Sequence, residues 1–169
     1  MSATDVVTPI APAVPETDRA DAIWFLGTLS MVKASKESTD GHMAVVEMLA
    51  PSGFGSPLHV HRREDEWFYV IEGVLTVWVD GDTFEVPAGS FAYGPRDLAH
   101  TFLVTSPTPA RFLLGTEPSG FEDFVRELGE PAETFTLAPA TVELPSPERM
   151  TAVAAKYGIE ILGPPGIPA

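Results

Sequence analysis

Residues Gly53 to Gly73, GFGSPLHVHRREDEWFYVIEG, decide how the rest of the chain is read. His59 and His61 lie two apart. On a β-strand that spacing sends both imidazoles to one face, where their ring nitrogens can converge on a single ion. That face is expected to be the inside of a barrel. Arg62, Arg63, Glu64 and Asp65 make a polar, turn-like break, and Trp67 to Ile71 then read as a strongly β-forming, buried strand that turns at Glu72-Gly73. If the break is a hairpin, Glu66 opens the returning strand beside the histidines. It then shares a face with Phe68 and Val70, while Trp67, Tyr69 and Ile71 take the other.

A further ligand is offered by His100, in the segment GSFAYGPRDLAHTFLV, residues 89–104, just before the apolar run Phe102 to Val104. Three imidazoles and one carboxylate suit a divalent transition metal such as iron, nickel, manganese, copper or zinc. The chain has no cysteine, which argues against soft-metal and iron–sulfur chemistry. A single histidine on a strand is more often an ordinary core or surface residue. The constellation carries the argument, because a glutamate buried beside the strand without a partner would be costly. His42, after Asp40-Gly41, lies outside the pattern and reads as a loop or strand-end residue.

The spacing of Gly53, His59, His61, Glu66 and Gly73 is identified as the first motif of the cupin family, G-x5-H-x-H-x3,4-E-x6-G, without a gap. Gly89, Pro95 and His100 match the second motif, G-x5-P-x-G-x2-H-x3-N. Two positions depart. Asp97 stands where the family prefers glycine, a mild change because aspartate tolerates a left-handed backbone. Val104 stands where the family prefers asparagine, which removes a polar side chain but no metal ligand. More broadly, Trp24 to Gly27, the run PLHVHRREDEWFYVIEG, then PAGSFAYGPRDLAHTF and GFEDFVRELGEPA resemble the small single-domain bacterial cupins related to quercetin 2,3-dioxygenase.

That resemblance implies an all-β fold, a single cupin jelly-roll barrel. It also implies a metal centre of His59, His61, Glu66 and His100. By the family's mechanism, Glu66 is the catalytic group that takes the proton of a flavonol 3-hydroxyl. Dioxygen then attacks the activated ring, which opens with loss of carbon monoxide. Phe68, Tyr93, Phe102 and Phe112 are candidate substrate-pocket residues, with ordinary core packing as the alternative for each. The same residues leave open a metal-dependent isomerase, cyclase or lyase, and a non-catalytic small-molecule-binding cupin. The partners implied are a small molecule such as a flavonoid, dioxygen and, by resemblance, a second copy in a homodimer.

The 169 residues suit one decorated domain. A net charge of −14 argues against nucleic acid and anionic membranes as partners. The absence of cysteine fits a reducing compartment, and neither a signal peptide nor a bilayer-spanning stretch is visible, so a cytoplasmic location is expected. No pattern of a DNA-binding helix-turn-helix precedes the barrel.

In chain order, residues 1–21 are proline-containing and read as an extended arm, and residues 22–117 as the barrel. Within the barrel, Ala22 to Met31 reads as a first strand, Lys33 to Gly41 as a polar connector and His42 to Ala50 as a strand. Its Glu47 is expected to face solvent. Asp80-Gly81-Asp82 is a hairpin turn. Residues 118–169 read as a tail with two short helices on the barrel's outer surface, away from the chemistry. The first, Phe121 to Gly129, has apolar residues at helical spacing. The second opens with Ser146 as N-cap and Pro147 in its first turn, and ends at Tyr157-Gly158. Ile159 to Ala169 is expected to be irregular.

Overall fold

Short β-forming runs punctuated by glycine and proline resolve into two facing antiparallel sheets in the computed structural model, which describes residues 21–169. The expected N-terminal arm, apart from Asp21, lies outside the described residues. The strands are β1 (Ala22–Phe25), β2 (Thr28–Ala34), β3 (Ala44–Ala50), β4 (Pro57–His61), β5 (Asp65–Glu72), β6 (Val74–Val79), β7 (Asp82–Pro87), β8 (Phe91–Gly94), β9 (His100–Val104), β10 (Ala110–Glu117), β11 (Glu130–Pro131) and β12 (Ile159–Pro165). The helices are α1 (Lys36–Thr39), α2 (Phe121–Leu128) and α3 (Pro147–Lys156).

One sheet runs β11-β1-β2-β3-β10-β5-β8 and the other β12-β4-β9-β6-β7. The jelly roll expected from the sequence is therefore present as two layers. Their inner faces bury Phe68, Val70, Phe112 and Leu114 from one side and Leu75, Val77 and Phe102 from the other. The rings of Phe68, Phe102 and Phe112 meet with centroids 5.4 to 6.3 Å apart. Each such ring, fully removed from water, contributes about 1.5–3 kcal/mol of burial free energy.

Several local expectations change. Ala22 to Met31 is a hairpin rather than one strand, because Leu26 and Gly27 both adopt left-handed backbone, with φ of 52° and 89°. The polar connector after Lys33 contains the end of β2 and the short α1. Glu47 is buried, with Lys33 at 3.2 Å and Arg111 at 2.6 Å drawn over it. His42 is an exposed loop residue. Asp97 does take the left-handed conformation, with φ of 67°, and Val104 is buried opposite Leu75 in the core. Gly73 also has positive φ, 83°, and a Cβ there would stand 2.9 Å from Ala110.

Two corrections bear on the site. The break after His61 is not a hairpin: β4 and β5 belong to opposite sheets, and the chain crosses between layers at Arg62 to Glu64. Glu66 therefore faces the histidines across the sandwich instead of pairing beside them. Its in-register neighbours are Thr116 on β10 and Gly94 on β8. The other correction is the C-terminus. Ile159 to Pro165, expected to be irregular, forms β12 and pairs with β4, setting Ile159 opposite His61 and Ile161 opposite His59.

Both expected tail helices form. In α2, Phe121, Phe124, Val125 and Leu128 make one buried stripe. Fully buried Glu122 accepts from Gly120 N at 2.7 Å and Lys36 N at 2.8 Å, fastening the start of the helix to the α1 turn. In α3, Ser146 Oγ accepts from Arg149 N as N-cap. Among the described residues no helix is long and apolar enough to cross a membrane.

Candidate metal centre

β4 presents His59 and His61 inward, β9 supplies His100 directly opposite His59, and β5 brings Glu66 from the facing sheet. One ligand atom from each of these residues lies within 4.8 Å of every other, and all four residues are buried. Glu66 sits at the centre, with His100 Nε2 at 2.8 Å, His61 Nε2 at 3.6 Å and His59 Nε2 at 3.9 Å from its carboxylate oxygens.

The other ring nitrogens are committed elsewhere. His59 Nδ1 donates to the Pro57 carbonyl at 2.7 Å and His100 Nδ1 to the Leu98 carbonyl at 3.0 Å. His61 Nδ1 donates to Glu64 Oε1 at 2.9 Å. Those bonds turn each Nε2 toward the common centre, where that of His100 donates to Glu66 at 2.8 Å and would give up that proton on binding a metal. The Nε2 atoms of His59 and His61 face each other at 3.1 Å, a spacing that a shared cation would turn from lone-pair repulsion into coordination. A three-nitrogen, one-oxygen donor set with preset tautomers fits a divalent ion.

Burial, reinforced by the neighbouring charges of His100 and His61, pushes His59 down to about 3. Burial opposes ionisation of Glu66, but the charge of His61 and the hydrogen bond from His100 outweigh it and hold the carboxyl down at about 2. Burial also opposes the charge on His100, yet the hydrogen bond and negative charge of Glu66 raise it. The glutamate is thus ionised at neutral pH and ready to accept a cation or a proton.

Residues 45–115 match the family model described as a cupin domain. The chain carries a cupin domain. Over 130 residues it is 30% identical to quercetin 2,3-dioxygenase of Bacillus subtilis, an alignment that covers 77% of this chain and 38% of that protein's length. An RmlC-like cupin of Shewanella frigidimarina superposes with a TM-score of 0.50 at 25% identity, covering 59% of this chain and 83% of that one. A predicted oxalate decarboxylase of Thermotoga maritima gives a TM-score of 0.51 at 23% identity, over 54% and 80% of the two chains, a likeness of fold.

The pocket opens onto His59, His61 and Glu66, and its cavity volume is about 50 Å³, the space beyond it being open to solvent. Apart from those three residues and Ser56, the lining is apolar, with Met48, Phe102 and Leu114 contributed by the sheets and Phe54 by the loop before β4. Phe25, Leu26 and Pro57 add to it, and the tail supplies Phe121 and Phe124 from α2, Met150 from α3, and Ile159 and Ile161 from β12. The tail helices do pack outside the sheets, but not away from the site.

Of the aromatic residues singled out in the sequence, Phe102 lines this pocket, while Phe68 and Phe112 lie in the core and outside its lining. Tyr93 faces outward and is 49% exposed. Its register explains this. Gly94 pairs with Glu66 and Tyr93 with Trp67, so the alternation of β8 turns the tyrosine onto the outer face. Sequence reasoning passed over Glu64, taken as part of a polar turn, although it is 2% exposed and hydrogen-bonded to His61. The tail residues were missed as well. Their signals were the helical spacing of Phe121 and Phe124 and the apolar Ile159 and Ile161 at strand spacing.

Proposed function

We propose that the chain is a metal-dependent cupin dioxygenase, quercetinase-like, which opens a flavonol or a similar enolisable substrate with dioxygen in the cytoplasm. His59, His61, Glu66 and His100 hold one divalent transition metal. The observation that carries this reading is a buried three-histidine, one-glutamate set at a pocket that, among the described residues, is lined by no lysine or arginine. An apolar wall receives a flat, uncharged body, and a substrate with several carboxylates would find no counter-charge there. Similarity to the Bacillus subtilis quercetin 2,3-dioxygenase supports the same substrate class.

A bound divalent ion supplies Lewis-acid stabilisation of the substrate's oxyanion. The protein's own part is to position and to move a proton. Glu66 accepts the proton of the substrate hydroxyl, a transfer favoured for a hydroxyl whose anion is stabilised at the same place. The apolar wall, including Phe121 and Phe124, excludes water from the activated ring.

The test is oxygen uptake and carbon monoxide release with quercetin, in the parent and in Glu66→Gln with metal content measured. Turnover in the parent and at least a hundredfold loss in a variant that keeps its metal is the expected result. Unchanged turnover in the variant removes the base role, and product formed without oxygen moves the site to isomerase, cyclase or lyase chemistry. Ligand binding without product would make it a binding module. The proposal includes a homodimer, because Tyr69, Phe91 and Tyr93 expose 41–60% of their surface on the outer face of β5 and β8. Sedimentation at the mass of a single chain at micromolar concentration would remove that element.

A further inference from the structure

We propose that Glu64 is a positioning residue for the metal: its carboxylate fixes the orientation and tautomer of His61 and adds the second buried negative charge that a divalent cation balances. The inference rests on the metal reading of the four residues above. The three histidines are held in two different ways. His59 and His100 each give Nδ1–H to a backbone carbonyl two residues earlier, Pro57 and Leu98. His61 gives its Nδ1–H to a side chain, Glu64 Oε1, at 2.9 Å.

Glu64 is built for that contact. It lies where the chain crosses from β4 to β5, directly after exposed Arg62 and Arg63, yet it is only 2% exposed itself. Neither arginine covers it. Arg62 pairs with Asp97 and Glu160, and Arg63 donates to the Lys156 carbonyl. Among the described residues the Glu64 side chain has His61 as its hydrogen-bond partner. A carboxylate accepting from a ligand imidazole makes the metal-facing nitrogen more basic, and such partners typically change metal affinity about 10- to 100-fold. A backbone carbonyl fixes the same tautomer without the charge. Among the described residues no lysine or arginine pairs with Glu64 or Glu66, so a divalent ion would balance these two acidic side chains.

The experiment compares the parent with Glu64→Gln, which keeps shape and an acceptor but drops the charge, and Glu64→Ala, which drops both. Zinc and cobalt affinities are read by competition with a chromophoric chelator, and the tautomers of His59, His61 and His100 by ¹⁵N NMR of the metal-free proteins. We expect His61 in the parent as the Nδ1–H form. Glu64→Gln should keep that form and bind metal about 10-fold more weakly. Glu64→Ala should release His61 into a mixture of tautomers and bind about 100-fold more weakly, with the signals of His59 and His100 unmoved. Equal affinity across parent and Glu64→Gln, or a His61 tautomer that ignores both substitutions, overturns the proposal. If Glu64→Ala perturbs all three histidines, the isosteric Glu64→Gln alone decides. A parent that binds no metal would sink the metal reading itself, whereas a tight-binding parent with indifferent Glu64 variants sinks only the role of Glu64.

Discussion

The strands that carry the ligands and the tail that covers them are built on different terms. β4, β5 and β9 place four polar side chains at the centre of a dry core, where each is satisfied by another member of the cluster or by a nearby carbonyl. The tail from α2 to β12 contributes no ligand. It supplies apolar side chains to the mouth of the same pocket, held by one buried stripe, a strand pairing and surface ion pairs. Chemistry and substrate shape are thus assigned to separate segments. Changes in the first should abolish metal binding with the pocket wall intact, and changes in the second should alter the wall with the metal retained.

The largest effect expected is on the ligand strands. Replacing His59 and His61 together by Ala should reduce metal content from about one per chain to none, read by elemental analysis. In the parent, metal at about 1,000 times its dissociation constant should add about 4 kcal/mol to the unfolding free energy. Equal thermal shifts in parent and variant would break the comparison. Next comes the tail. Phe121 is 6% exposed, with its ring centroid 6.1 Å from that of His61, so Phe121→Ala should cost about 3 kcal/mol or more and weaken substrate binding while metal content stays at the parent level. Loss of metal in that variant would show that the tail also shapes the ligand set.

A smaller effect sharpens how the tail is fastened. Glu127 on α2 accepts from Tyr157 Oη at 2.5 Å and from Lys156 Nζ, joining the two helices. The carboxylate hydrogen bond, with burial adding to it, pushes the Tyr157 phenol up to about 12. The folded value lies above the ordinary 10, so this contact contributes below pH 10 and is lost as pH rises through 12. Ultraviolet titration at tyrosinate wavelengths should show a phenol titrating near 12 in the parent that is lost in Tyr157→Phe. The smallest effect concerns Thr116, whose buried hydroxyl has no partner among the described residues and which lies opposite Glu66 in register. Thr116→Val should leave the melting temperature unchanged or raise it slightly, since an unsatisfied hydroxyl is removed at nearly constant shape.

How far each region could be read from the sequence follows the same division. His59 and His61 at strand spacing needed only the period of a strand to be placed on one face, and Phe68 and Val70 shared the face of Glu66 for the same reason. Asp97 in left-handed backbone followed from its side chain. What failed were statements about which strand lies beside which. The crossing at Arg62 to Glu64 looks like a turn in either case, and only the position of β5 in the other sheet makes it a bridge between layers. Tyr93 was placed inward because it is aromatic, and one residue of register turned it out. Glu64 carries no local mark that separates a buried carboxylate from its exposed neighbours.

The sequence by itself determined the residues that can share a metal, the β-rich class of the fold and the two helices of the tail. Those follow from side-chain chemistry and from periodicities a few residues long. Tertiary structure alone decided that Glu66 comes from the opposite sheet, that Glu64 backs His61 and that the C-terminal strand joins β4 to finish the pocket. These depend on pairing between segments up to about a hundred residues apart, which is chosen by the packing free energy of the whole core and leaves no trace in local spacing.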